Sequence, residues 1–167
     1  MEISADLVKA LREKTGVGVM DCKRALVDAN ADMERAIAFL RERGLASVAK
    51  RAGREASQGL VEAYVHHGDR IGVLVEVNCE TDFVAHTPEF RQLAHDIAMQ
   101  IAATNPQSVD EPEDGQSDSD GIPLLKQEFI RNPGQTIADL VRETAAKTGE
   151  NVVVRRFTRF ELGAAED

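Results

Sequence analysis

Apolar positions in the first third of the chain recur at spacings of three and four, the period of a helix with one buried face. Ser4 sits where an N-cap belongs, and Leu7, Val8 and Leu11 follow it on one face. Thr15-Gly16-Val17-Gly18 interrupts the pattern. It resumes from about Met20 to Ala29, with Cys22, Ala25 and Leu26 directed inward. Asn30 to Asp32 has turn and capping chemistry. A third helix then places Met33, Ala36, Ile37 and Leu40 together, and Gly44 is expected to end it. Three short helices make a small bundle, near the lower size limit for a core that folds alone. Ser47 to Arg54 is basic and helix-prone, which suits a connector.

Beyond the connector the period changes from helical to two. Leu60 to His66 alternates, His67-Gly68-Asp69 reads as a turn, and Ile71, Val73, Val75, Val77 and Cys79 share one face of a strand. This is a β-hairpin. Thr87-Pro88 starts a long amphipathic helix carrying Phe90, Leu93, Ala94, Ile97, Ala98, Ile101 and Ala102, and Asn105-Pro106 closes it. A short helix is expected over Pro123 to Ile130, stopped by Asn132-Pro133-Gly134. Thr136 and Asp139 form a capping box for another helix, with Ile137, Leu140 and Val141 inward. Val152 to Leu162 forms a last strand, with Val152, Val154, Phe160 and Leu162 assigned to one face. The fold class is α+β: a three-helix bundle, then a three-stranded antiparallel sheet with helices on one face. The expected divisions are 1–45 for the bundle, 46–56 for a basic linker helix and 57–167 for the α+β part.

Composition narrows the partners. The 167 residues are 43% apolar, with no Trp, one Tyr and six Phe, so an exposed aromatic ring would stand out. The net charge is -9, unsuited to neutralising phosphates, so no direct contact with nucleic acid is expected. Residues 1–55 carry 11 basic and 9 acidic side chains, leaving 9 and 20 for the remainder out of totals of 20 and 29. Six of those acids fall between Val109 and Asp120, within an acidic loop about 107–121 that is expected to be mobile. Cys22 and Cys79 match no metal spacing and no disulfide framework, which favours a reducing compartment. The opening MEISADLVKALRE has no apolar signal core, and no stretch approaches the ~20 apolar residues of a membrane span. A soluble cytoplasmic protein with no membrane partner is expected.

Several segments invite a chemical reading. Thr15-Gly16-Val17-Gly18 lacks the preceding strand, the glycine spacing and the Lys-Ser/Thr of a phosphate loop. Val17, Val19 and Met20 beside it are either core or contact residues, and the local pattern leaves both open. His66, His67, Cys79 and His86 do not converge on one ion, because adjacent strand residues point to opposite faces, so no metal is expected. Asp82, His86 and Glu89 are an acid/base set without a nucleophile, and no catalytic residue and no cofactor are assigned. Thr81-Asp82-Phe83-Val84 follows a strand and precedes a capped helix. Thr81 or Asp82 can cap a single turn there. Phe83 then either folds back on the long helix or stands exposed as an interface anchor, and local physics does not choose.

Two longer stretches carry a resemblance. Leu11-Arg12-Glu13-Lys14-Thr15-Gly16-Val17-Gly18-Val19-Met20-Asp21-Cys22-Lys23-Arg24-Ala25-Leu26 resembles the N-terminal signature of the elongation factor Ts family. Glu76-Val77-Asn78-Cys79-Glu80-Thr81-Asp82-Phe83-Val84-Ala85 resembles its second signature, and Gly44 to Arg54 is similar to its linker helix. Order and spacing agree over residues 3 to about 103. His86 departs from the usual Lys or Arg, and Phe39 occupies a place where aromatic or large apolar residues are common. The chain has room for one core subdomain where long members carry two.

The resemblance implies a ubiquitin-associated-like (UBA-like) three-helix domain followed by one α+β core subdomain, and a homodimer as in short members. It implies a guanine nucleotide exchange factor for elongation factor Tu, acting by protein contact and not as an enzyme. Thr81, Asp82, Phe83 and Val84 would contact the GTPase domain near its Mg²⁺ and phosphate side. Val17, Gly18, Val19 and Met20 would dock on another helix of that domain. The competing reading is a small UBA-like interaction adaptor without exchange activity, which gives no reason for Thr81 to Val84 to follow a strand in this register.

Overall fold

The computed structural model describes residues 3–112 and 121–165. The chain divides into two compact units, residues 1–51 and 52–167.

The first unit has three helices: α1 (Ala5–Thr15), α2 (Val19–Asp28) and α3 (Met33–Arg51). Ser4 caps α1 through its hydroxyl, which accepts from the Leu7 amide. Val8, Leu11, Cys22, Ala25, Leu26, Ala29, Ala36 and Leu40 form the core; the spacing predicts all of these but Ala29, and Leu7, Met33 and Ile37, also expected inward, are partly buried against it. One expectation fails here: Gly44 does not end the third helix, which runs on through the basic segment to Arg51. Glycine is tolerated inside a helix at about 1 kcal/mol relative to alanine, and neighbouring helix formers outweigh it.

The second unit contains β1 (Gln58–Val65), β2 (Ile71–Cys79), the single turn α4 (Asp82–Ala85), α5 (Pro88–Thr104), β3 (Glu128–Phe129), β4 (Asn132–Thr136), α6 (Ile137–Thr148) and β5 (Val153–Glu161). β1, β2 and β5 form an antiparallel sheet with β2 central, and α5 packs against β1 and β2. Val73, Val75, Val77 and Cys79 meet Phe90, Leu93, Ala94, Ile97 and Ile101 in the core. Gly59 lies opposite Asn78 with φ of 147°, and a Cβ there would fall 2.1 Å from the Val77 carbonyl oxygen. Only glycine permits that approach of β1 to β2.

Two expectations are corrected. The Pro123 to Ile130 segment is not a helix beyond the 3-10 turn Leu124–Lys126; it leads into β3, which pairs with β4. The fully buried amide of Gln100 organises this small sheet. Its Nε2 donates to the Gln127 Oε1 (3.0 Å) and the Glu128 carbonyl (3.1 Å), and its Oε1 accepts from the Ile130 amide (3.0 Å). A remote side chain thus replaces helical hydrogen bonds, and Pro133 is accommodated because strands this short are all edge.

β5 is the second correction. Val152 and Val154 are buried, but Phe160 and Leu162 are exposed. Glu76 pairs with Arg156 while Val77 pairs with Val154, so Arg155 is an inserted residue. Such a bulge reverses the alternation beyond it. Phe157 and Arg159 take the core side opposite Val75 and Val73, and Phe160 turns outward opposite Gly72. Arg159 is useful there: its Nε and Nη2 donate to the Ala102 carbonyl at 3.3 and 3.1 Å, closing the C-terminal end of α5. On the outer side Arg155 and Arg156 both donate to Glu76, at 3.0 and 2.7 Å. Those two bonds lower the Glu76 pKa to about 2.

Most of the acidic segment, including 113–120, lies outside the described residues, and with it the expectation of mobility. Its flanks are tied together: the Leu124 and Leu125 amides donate to the Ser108 and Val109 carbonyls, and Lys126 pairs with Glu111 at 2.6 Å. Among the described residues no helix is long and apolar enough to cross a membrane.

Candidate functional site: two apolar-tipped turns

The first turn links α1 to α2. Gly16 adopts φ of 68° and its N–H closes α1 on the Arg12 carbonyl at 2.8 Å. Thr15 folds its hydroxyl onto the Leu11 carbonyl (2.8 Å) and accepts from the Val17 amide (3.4 Å). From below, the buried Cys22 thiol donates to the Val17 carbonyl at 3.4 Å. Gly18 stands at the N-cap of α2 without a side-chain cap. Val17 is half-buried against the bundle core. Val19 and Met20 are 48% and 66% exposed, large apolar side chains with their faces in solvent.

The second turn runs from Glu80 to Thr87. Thr81 has extended backbone (φ -126°, ψ 155°), and its hydroxyl oxygen accepts from the Val84 amide at 3.4 Å. Thr87 repeats the device for α5, accepting from the Phe90 amide at 3.3 Å and donating to the Val84 carbonyl at 2.7 Å. Val84 and Ala85 are buried, and Asp82 is exposed. Phe83 is 83% exposed. The choice left open by the local sequence is therefore decided: Phe83 does not fold back on α5. Val84 supplies the apolar root of the turn, and Asp82 with Phe83 forms its tip.

Groups from elsewhere in the sequence hold this turn. The Cys79 thiol donates to the Thr81 carbonyl at 3.1 Å. Burial, and then the nearby charge of Glu150, push its pKa up to about 11, so the thiol stays protonated and unreactive. Both carboxylate oxygens of Glu150 are engaged by Thr81, one by its N–H at 2.9 Å and the other by its hydroxyl at 2.7 Å. The Asn151 amide donates to Glu80 at 2.7 Å, and its side chain donates to the Ala52 and Arg54 carbonyls at 3.3 and 2.7 Å. Arg54 approaches Glu80 at 3.7 Å. Glu150 and Asn151 escaped the sequence reading. They follow Gly149, the left-handed cap of α6, and look like ordinary loop residues.

Of the side chains considered as acid/base or metal groups, Cys79, His66 and His86 have hydrogen-bond partners. His86 Nδ1 donates to the Asp82 carbonyl at 2.6 Å, closing α4. This His thus makes a local backbone bond. His66 contacts the Tyr64 hydroxyl at 2.9 Å. Among the described residues no three His, Cys, Asp or Glu side chains gather as a metal site.

Comparison with known proteins assigns the chain to a family. Residues 22–118 match the sequence model of the family described as Elongation factor TS. Elongation factor Ts of Thermoanaerobacter sp. (strain X514) is 53% identical, with 96% of this chain and 95% of that protein covered. Elongation factor Ts of Moorella thermoacetica is 50% identical over 96% of each chain. That of Heliobacterium modesticaldum is 48% identical over 96% of this chain and 90% of its own. With both signature turns built as described and identity near one half along almost its whole length, this chain belongs to the elongation factor Ts family.

Proposed function

We propose that this protein is a guanine nucleotide exchange factor for elongation factor Tu and that it acts by pressing the Asp82–Phe83 tip into the GTPase domain near the Mg²⁺ and phosphate side. The observation that carries the reading is Phe83, an aromatic ring 83% exposed on a turn whose root is buried and whose cap is hydrogen-bonded. An exposed ring on a fixed backbone loses little entropy on docking, the property of an interface anchor. Asp82 supplies the polar edge of the tip. Val19 and Met20 form the second contact, with Val17 and Gly18 shaping the loop beneath them.

The mechanism is linkage. If the factor and GDP each weaken the other's binding to the GTPase, the coupling free energy is reciprocal. The factor then needs no nucleotide site of its own. It must bind best to a GTPase conformation with poor Mg²⁺ and phosphate contacts. Each differential ~1.4 kcal/mol at the two turns is worth tenfold in nucleotide affinity.

The decisive measurement is release of a fluorescent GDP analogue from elongation factor Tu on mixing with the protein. Phe83→Ala is expected to lose most of the acceleration with an unchanged melting temperature. An unchanged release rate with that variant removes the wedge. If the unmodified chain itself fails to accelerate release, the adaptor reading takes its place.

The homodimer belongs to the same proposal. The outer sheet face carries Val61, Val65, Leu74, Phe160 and, just past β5, Leu162, all exposed. A second copy would cover this apolar surface, since a two-fold axis brings like surface to like. Light scattering should give twice the 18.2 kDa chain mass, and Phe160→Lys should return the monomer.

A further inference from the structure

A one-turn helix has no stability of its own, since fixing its first turn is unfavourable without outside support. α4 has four residues, and Phe83 makes its contact with a partner only if that turn points the right way. The support comes from Glu150, sixty-nine residues downstream of the N-cap Thr81, in the connection between α6 and β5. Its carboxylate grips the N-cap residue at two points, the Thr81 N–H at 2.9 Å and the Thr81 hydroxyl at 2.7 Å. Because the hydroxyl hydrogen is committed to Glu150, an oxygen lone pair is left for the Val84 amide at 3.4 Å. The hydrogen bonds then form a chain, carboxylate to hydroxyl to amide, in which each bond polarises the next. The neighbouring Asn151 holds Glu80 at 2.7 Å, so the residues before and after the turn's entry are pinned by one dipeptide.

We propose that Glu150 is a positioning residue for nucleotide exchange: it fixes the cap of α4 and thereby the direction of Phe83, without touching the GTPase itself. This rests on the wedge reading above. Two charge-assisted bonds, partly open to solvent, set the scale: Glu150→Ala is expected to slow stimulated GDP release about tenfold. Glu150→Gln should recover most of it, because the amide oxygen accepts from the Thr81 N–H while the amide nitrogen donates to the Thr81 hydroxyl oxygen.

The test is fluorescent-GDP release from elongation factor Tu with the full chain carrying Glu150→Ala, Glu150→Gln, Phe83→Ala and the Glu150→Ala/Phe83→Ala pair. Amide hydrogen exchange at Thr81 and Val84 is read alongside. The expected result is faster exchange of both amides in Glu150→Ala, recovery in Glu150→Gln, and a double variant no slower in GDP release than Phe83→Ala alone. That last non-additivity marks an action through Phe83, which general destabilisation would not give. Full GDP release with Glu150→Ala, or a double variant slower by the product of the two effects, overturns the assignment of Glu150 while leaving the wedge intact. Unchanged release with Phe83→Ala removes the wedge reading and this inference together.

Discussion

The two turns are built alike at the tip and differently at the root. Each ends a regular element, exposes large apolar side chains and rests on a buried cysteine whose thiol donates to a turn carbonyl, Val17 in one case and Thr81 in the other. The bonds of the first turn join residues no more than seven apart in sequence. The second is clamped from Glu150 and Asn151. A turn made from its own neighbours is robust to change elsewhere. A turn made with distant partners is aimed by the whole unit, and its direction can be altered by a substitution far along the sequence.

This contrast can be sharpened by experiment. The largest expected effect is the difference between the tips. Phe83→Ala should slow stimulated GDP release about thirtyfold and Met20→Ala only about threefold, because a single ring on a rigid turn behaves as a hot spot and a flexible thioether does not. Both residues are exposed, so each melting transition should stay within ~0.5 kcal/mol of the parent. Equal losses in the release assay would erase the distinction between anchor and auxiliary contact.

Next come the roots, read by chemical denaturation. Gly16→Ala forces a side chain into a left-handed conformation and should cost about 1 kcal/mol, without any clash, since open space surrounds that position. Thr81→Ala removes a cap and should also cost about 1 kcal/mol. The turns should part company in amide exchange: Gly16→Ala loosens only its own turn, whereas Thr81→Ala also frees the segment at Glu150 and Asn151. Protection unchanged at Asn151 would show that the long-range clamp is incidental.

The smallest effect is one of pH. The Cys79 pKa is raised from 9.0 to about 11, so the fold favours the protonated thiol. Its contribution is complete below pH 9, where both folded and unfolded thiols are protonated. It is lost as pH rises towards about 11, because the unfolded chain gives up the proton first. Denaturation midpoints should fall over that window, and Cys79→Ala should remove that part of the slope. A thiol alkylated rapidly at pH 8 in the folded protein would contradict the buried, donating geometry.

How much of this could be read in advance follows the same division. The bundle core, the β1–β2 hairpin and the caps at Ser4, Thr87 and Thr136 depend on spacings within a few residues, and the sequence displays them directly. The errors sit where a distant group decides. Gln100 turns the segment after Lys126 into a strand pair. The bulge at Arg155 reverses the faces of β5, and no local pattern marks it. The exposure of Phe83 was undecided for the same reason: Val84 and Ala85 are drawn into the core beside it. Glu150 bears no motif, and only its contact with Thr81 sets it apart.

That contact also sets an order of events at birth. The loop around Val17 has all its partners once α2 has emerged from the ribosome. The cap at Thr81 must wait for sixty-nine more residues, roughly 3 to 14 s at usual rates of synthesis. During that interval an exposed phenylalanine hangs on an unfixed turn beside a central strand that still lacks β5. A nascent chain of this protein would therefore carry the Asp82–Phe83 tip before it could aim it, and the turn would be fixed only as the last strand was about to be laid down.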